Sequence, residues 1–169
     1  MEIKYRPAEK SDLDAICGLV GRAISCMEKN KIFQWDKVYP SREIFAEDIS
    51  KGELFVGTLN GDIAVLYVIN RECDDEYGKC RWKYSDCEYR IIHRLCVDPK
   101  YQKMGIAKNT LKHIEAELKS SDIGAVRLDV FSDNPSAMAL YLNSGYEKAG
   151  SADWRMGRFF LMEKRLYQQ

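Results

Sequence analysis

Apolar residues recur along this chain with two different periods, and the change of period marks out its elements. Ile16, Leu19, Val20, Ala23 and Met27 follow helical spacing, so a first amphipathic helix is expected to run to about Lys29, opened by a capping box at Ser11-Asp12-Leu13-Asp14. A second helix is expected from Ser41, after Pro40, burying Ile44, Phe45 and Ile49. From Glu53 the pattern turns to strand. Leu54 to Leu59 and Ile63 to Ile69 are separated by Asn60-Gly61, the signature of a type I′ hairpin, because both central residues of that turn need positive φ. Residues 70–90 are dense in charge and carry Trp82, Tyr84 and Tyr89, which reads as a surface excursion extending the hairpin. Ile91 to Val97, Val126 to Phe131 and Phe159 to Leu166 are further strands, the last following a shorter one near Tyr146. Between them, Ala107, Leu111, Ile114 and Leu118 put one helix face toward a sheet. Asn134 caps another helix with Pro135 at its first position, and Gly145 ends it. The sum is an α/β chain, 1–169 as a single domain, with a mixed sheet of six to seven strands and about four helices.

Charge and cysteine usage narrow the partners. The balance of 26 basic against 26 acidic residues gives no broad field for nucleic acid or anionic lipid, so any anion site is local. No run of about 18 apolar residues is present to span a membrane, and no N-terminal apolar stretch flanked by basic residues reads as a signal peptide. A reducing, cytoplasmic setting with free thiols is therefore expected for the six cysteines. Cys73, Cys80 and Cys87 are evenly spaced but form no C-x-x-C pair, and with only His93 nearby no metal site is expected.

The stretch from Val97 to Leu118 carries candidate chemistry. A strand breaks at Asp98-Pro99 and passes through Gly105 into the helix, with Lys103, Lys108 and Lys112 outside its apolar stripe. The first turn of such a helix offers unpaired N–H groups, the positive end of the dipole and ammonium groups, which together suit a phosphate. On glycine and amphipathicity alone, an ordinary glycine turn between strand and helix remains the simpler reading. Neither G-x-x-x-x-G-K-[ST] nor G-x-G-x-x-G is present.

Two segments carry a resemblance that resolves this. Val97-Asp98-Pro99-Lys100-Tyr101-Gln102-Lys103-Met104-Gly105-Ile106-Ala107 resembles the V-x-P-x-x-Q-x-x-G-x-[GA] segment of the GCN5-related N-acetyltransferases. Asn134-Pro135, Ala137, Leu140-Tyr141 and Gly145-Tyr146 resemble that family's second signature, N-x-x-A-x-x-L-Y-x-x-x-G-[FY], in the family's order and spacing. Alanine stands at 107 where many members have a second glycine.

The resemblance implies a mostly antiparallel sheet with a splay after the strand 91–97, and acetyl-coenzyme A as co-substrate. It implies that the backbone of Leu95 or Cys96 polarises the thioester carbonyl and that Val97 holds the pantetheine arm. Gln102, Lys103, Met104, Gly105, Ile106, Ala107 and Lys108 would cradle the pyrophosphate, and Asn134 would reach the pantetheine. Tyr141 would be the general acid for the departing thiolate, against the plain alternative of a packing tyrosine. His93-Arg94-Leu95-Cys96-Val97 is similar to the H-A-L-A-V segment of the arylalkylamine acetyltransferases, in which the histidine helps carry a proton out through water. By strand alternation His93 is expected on the face of Leu95 and Val97, with Cys96 opposite. A structural, hydrogen-bonded histidine is the other reading. The acceptor is expected to be a small-molecule amine, with Trp35, Tyr39 and the 70–90 insertion walling a pocket and Asp36 attracting the cation, although Trp35 equally suits a core seal. Protein N-terminal or lysine acetylation is the alternative within the same class, and a non-catalytic acyl-coenzyme A sensor the alternative outside it. Fold-level analogy adds a homodimer through the strand edge around Phe159 and Phe160.

Overall fold

The computed structural model describes residues 2–167. Its seven strands form one mixed sheet in the order β1-β2-β3-β4-β5-β7-β6. The strands are β1 (Lys4–Pro7), β2 (Leu54–Leu59), β3 (Asp62–Asn70), β4 (Tyr89–Val97), β5 (Ala125–Phe131), β6 (Glu147–Trp154) and β7 (Gly157–Arg165). The helices are α1 (Leu13–Lys29), α2 (Arg42–Ser50), α3 (Asp75–Lys79), α4 (Ile106–Ser120) and α5 (Pro135–Asn143). The chain groups into two compact units, 1–69 with 94–110, and 70–93 with 111–169, so that β4 and α4 each pass from one to the other.

In the first unit, the expected box at Ser11 is replaced by one two residues earlier. The Glu9 N–H donates to Asp12 Oδ2 at 2.8 Å, and a short 3₁₀ turn, Lys10–Asp12, precedes α1. Ser41 caps α2 as expected, accepting from the Ile44 N–H at 3.4 Å, while Asp48 joins Phe45 and Ile49 on the buried face and Ile44 is half-buried. The hairpin holds, with Asn60 at φ 53° and Gly61 at φ 89°, both in the left-handed region that a type I′ turn demands. Gly57, beside the bulge of β2, leaves no room for a side chain, since a Cβ there would sit 2.6 Å from Val65 Cγ1 and 2.9 Å from Ile3 Cγ2. Ile16, Leu19, Val20, Phe45 and Ile49 pack with Leu54, Val56, Leu66, Val68 and Cys96. A second cluster gathers Leu59, Val65, Tyr101 and Ile106 with Leu95 and Val97 against it. Consecutive residues of the last part of β4 thus serve opposite cores.

In the second unit, β5 is buried along nearly its whole length and pairs with β7 over seven residues, from Ala125↔Arg165 to Phe131↔Phe159. The parallel ladder between β4 and β5 covers Tyr89–Ile92 with Ala125–Leu128 and ends there, inside β4 rather than beyond its last residue. The excursion over 70–90 is more than surface. It contains α3, and Tyr77 packs with Ile91, Ala152 and Leu161, with Trp82 and Trp154 against them. Glu163, buried on β7, accepts from the backbone N–H groups of Lys83 at 2.7 Å and Tyr84 at 3.2 Å. The Arg127 guanidinium lies 3.7 Å from the Tyr89 ring centroid and 4.4 Å from that of Trp82, a desolvated cation–π stack. Two of the evenly spaced cysteines fill space beside glycines, for a Cβ at Gly124 would come within 2.7 Å of Cys87 Sγ and one at Gly150 within 2.9 Å of Cys80 Sγ. The expected self-pairing edge around Phe159 and Phe160 does not exist, because β7 lies between β5 and β6 with its ladder groups engaged on both sides. On that side of the sheet the outer strand is β6. Among the described residues no helix is long and apolar enough to cross a membrane, and no cluster of His, Cys, Asp and Glu could hold a metal ion.

Candidate active site

The first unit contains the turn expected to bind an anion. Asp98 closes β4 and starts a 3₁₀ turn, Pro99–Tyr101, by accepting from the Lys100 N–H at 3.0 Å, while Arg22 holds its other oxygen at 2.5 Å. Gln102 folds its side-chain amide back toward the Val97 carbonyl at 3.4 Å. Lys103 at φ 61° and Gly105 at φ 77° are left-handed on either side of Met104, which is not. Such alternation turns successive N–H groups toward one concave side. Residues 102–105 are exposed, and apart from its own chain neighbours nothing lies within 4 Å of the place a Gly105 Cβ would occupy. Ile106, fully buried, pins the start of α4, Ala107 is half-buried, and the Lys108 ammonium lies on the exposed side. A pyrophosphate fits this turn, since the space over it is open, the helix N–H groups end in it and two lysines flank it.

Arg94 gives β4 its irregularity, a left-handed residue with φ 51° in the middle of a strand. Its guanidinium Nη2 donates to both Asp48 oxygens at 2.7 Å, and its Nη1 donates to the Tyr39 hydroxyl at 2.9 Å. The two-residue alternation expected to carry His93 onto the face of Leu95 and Val97 is interrupted at this residue. Cys96 is buried, and burial pushes its thiol up to about 12, so it stays protonated and unreactive at neutral pH.

The residues expected to contact the acceptor serve the framework. Trp35 is buried in the core with Phe45 and Ile49, Asp36 Oδ1 accepts from the N–H groups of Val38 at 2.9 Å and Tyr39 at 3.0 Å, and the Tyr39 hydroxyl is held by Arg94. The exposed apolar residues of this loop are Phe33 and Val38.

The second unit contains the candidate proton-transfer groups. Asn134 caps α5 through Oδ1, which accepts from the Ala137 N–H at 3.0 Å, so the carbonyl end of that amide is structural. Tyr141, two turns further on, is buried edge-on to Tyr146 with centroids 5.8 Å apart. Burial, with the Asp129 charge adding to it, raises the Tyr141 hydroxyl above its ordinary value, so it is a proton donor throughout the neutral range. Asp129 itself accepts from the Tyr77 hydroxyl at 2.8 Å and is half-buried on β5. The sequence reading missed it. An acid within the apolar run Val126-Arg127-Leu128-Asp129-Val130-Phe131 was the available signal, as were Arg94 within β4 and Asp48 on the apolar face of α2. His93 is half-buried in β4.

Comparison with known proteins finds relatives by sequence and by fold. N-alpha-acetyltransferase RimI of Mycobacterium tuberculosis is 38% identical over 121 residues, covering 71% of this chain and 68% of that protein. The [ribosomal protein bS18]-alanine N-acetyltransferase of Escherichia coli is 33% identical over 58 residues, 34% of this chain, and the matched part spans only 39% of that enzyme. A GNAT-family acetyltransferase structure from Streptococcus agalactiae shares the fold with a TM-score of 0.87 at 21% identity, covering 99% of this chain and 96% of that one. The profile of the acetyltransferase (GNAT) family, whose enzymes use acetyl-coenzyme A, matches residues 22–146, and this chain belongs to that family.

Proposed function

We propose that this chain is an N-acetyltransferase that joins the acetyl group of acetyl-coenzyme A to a primary amine by direct transfer in a ternary complex, and that the amine is the α-amino group of a polypeptide. The two units are read as parts of one acetyltransferase domain, since β4 and α4 run through both, and its place is the cytoplasm. The observation that carries the reading is the open, left-handed turn at 102–105 within a family match of this extent.

The donor supplies a thioester and, on transfer, a thiolate that must take up a proton. The N–H of Leu95 or Cys96 donates to the carbonyl oxygen as charge develops on it. The Val97 backbone and Asn134 hold the pantetheine arm, and the N–H groups of Gln102 through Ala107, with Lys103 and Lys108, hold the pyrophosphate. Tyr141 gives its hydroxyl proton to the sulfur. Asp129 takes the proton of the amine, with His93 as the comparison residue. A carboxylate suffices for an α-amine, whose pKa of about 8 leaves roughly a tenth of it neutral at pH 7, against about one part in 10³ for an alkylamine.

Two considerations favour a polypeptide over the small amine expected from sequence. Two of the similar proteins named above are an N-alpha-acetyltransferase and a [ribosomal protein bS18]-alanine N-acetyltransferase, which supports a polypeptide acceptor. The features taken as walls of a small pocket are tied to the cores: Trp35 is buried, Tyr39 packs against the same cluster and is held by Arg94, and Tyr77, Trp82 and Tyr89 of the 70–90 segment pack inward.

The test is thiol release from acetyl-coenzyme A with unblocked peptides, the same peptides blocked at the α-amine, polyamines and arylalkylamines. Release with unblocked peptides alone is the expected result, and release with small amines alone would overturn the acceptor assignment. Tyr141→Phe should lower kcat about 10² to 10³-fold with coenzyme affinity retained. Asp129→Asn should lose more rate at pH 6.5 than at pH 9, where the amine is already neutral, and His93→Ala should lose little at either.

A further inference from the structure

The Arg94 cluster is unusual within its unit because it joins backbone strain to a buried charge. A residue with a Cβ at φ 51° sits in an unfavourable region. Its guanidinium side chain is only 11% exposed and the Asp48 carboxylate only 9%. Asp48 shares the buried face of α2 with the core residues Phe45 and Ile49, and Arg94 precedes buried Cys96 by two residues, a setting in which well-packed apolar side chains often match or exceed an ion pair in stability. Both Asp48 oxygens accept from the single nitrogen Nη2, leaving Nη1 for Tyr39, while Nε is buried with no acceptor. A pair of this kind does not earn its place through stability, and its distinctive product is geometry.

That geometry has two ends. The backbone end is the left-handed residue immediately before the N–H groups of Leu95 and Cys96. The side-chain end reaches α2 through Asp48 and the loop 33–40 through Tyr39, the same loop that presents exposed Phe33 and Val38. We infer that Arg94 is a positioning residue that ties the loop 33–40 to the strand amides of Leu95 and Cys96, through its ion pair with Asp48 and its hydrogen bond to Tyr39. The inference rests on the reading above that these amides polarise the thioester carbonyl, and it takes the exposed Phe33 and Val38 of this loop as the side that meets the acceptor. An acceptor that moves the loop thereby acts on the amides, and loss of the Tyr39 hydroxyl uncouples the two.

Two variants separate this role from packing. Tyr39→Phe keeps the ring and removes only the hydroxyl, and Arg94→Gly permits the left-handed backbone while removing the tether. Amide hydrogen exchange at Leu95 and Cys96, read by NMR, needs no turnover. In Tyr39→Phe it should quicken about tenfold, the scale of one hydrogen bond to a charged group. The acceptor KM of that variant should rise by a similar factor, and Arg94→Gly should lower kcat about tenfold. Exchange unchanged at both amides overturns the inference whether or not the wild type turns over. Faster exchange with KM and kcat unchanged also overturns it, reducing the cluster to a packing element. Faster exchange in a protein that releases no thiol with any acceptor would sink the acetyltransferase reading while leaving the mechanical tie in place.

Discussion

At Gly105 the backbone conformation and the proposed ligand make separable demands. With φ at 77° and nothing within 4 Å of a Cβ, replacement by alanine meets no clash and strains only the backbone. That strain is about 1–2 kcal/mol, a fall of roughly 2–4 °C in Tm per kcal/mol for a chain of this size. If a pyrophosphate lies against the turn, Gly105→Ala should also weaken acetyl-coenzyme A binding about tenfold or more, by calorimetry, because the methyl projects into the space the anion uses. Equal affinity in a variant that is merely less stable would mark the glycine as a conformational requirement alone.

On helix α5 one residue caps the element and is also assigned to the proposed site. Asn134 Oδ1 caps the helix that carries Tyr141, so Asn134→Ala should cost about 1 kcal/mol by urea unfolding. Asn134→Asp keeps the capping oxygen and adds a favourable charge at the helix N-terminus. Its stability should equal or exceed wild type, yet it lacks the amide nitrogen. Coenzyme affinity lost in the aspartate variant, with stability retained, would show that the amide serves the pantetheine as well as the helix. Affinity and stability falling together only in the alanine variant would assign the residue to the cap.

Over the whole molecule, the buried tyrosines predict where stability fails. Tyr77, Tyr141 and Tyr146, all in the second unit, have hydroxyls raised by burial, with Asp129 adding to the first two and Glu115 to the third. Below about pH 10 these phenols are protonated in folded and unfolded chains alike, and the native state keeps its full stability. Above it the unfolded chain ionises first, so stability falls by up to about 1.4 kcal/mol per pH unit for each tyrosine until the folded values are reached. Unfolding followed by circular dichroism from pH 8 to 11 should show a steep loss beginning near pH 10, shallower in Tyr146→Phe. A slope unchanged in that variant would exclude Tyr146 from the effect.

The sequence by itself determined what depends on neighbours along the chain. The α1 stripe, the Asn60-Gly61 hairpin, the Ser41 and Asn134 caps and the Gly105 turn were all legible, because propensity, capping and positive φ are local. So were the two segments that carry the family resemblance. Tertiary structure alone decided the rest. Strand order placed β7 between β5 and β6 and removed the expected self-pairing edge, a matter of long-range pairing that no local pattern encodes. The charged stretch over 70–90 reads as surface, yet Tyr77 and Trp82 are inside, since a few aromatics can bury their rings while the charges around them stay in water. Asp48, Arg94 and Asp129 gained their roles from partners 46 and 52 residues away, Arg94 to Asp48 and Tyr77 to Asp129, contacts made only once the chain has folded.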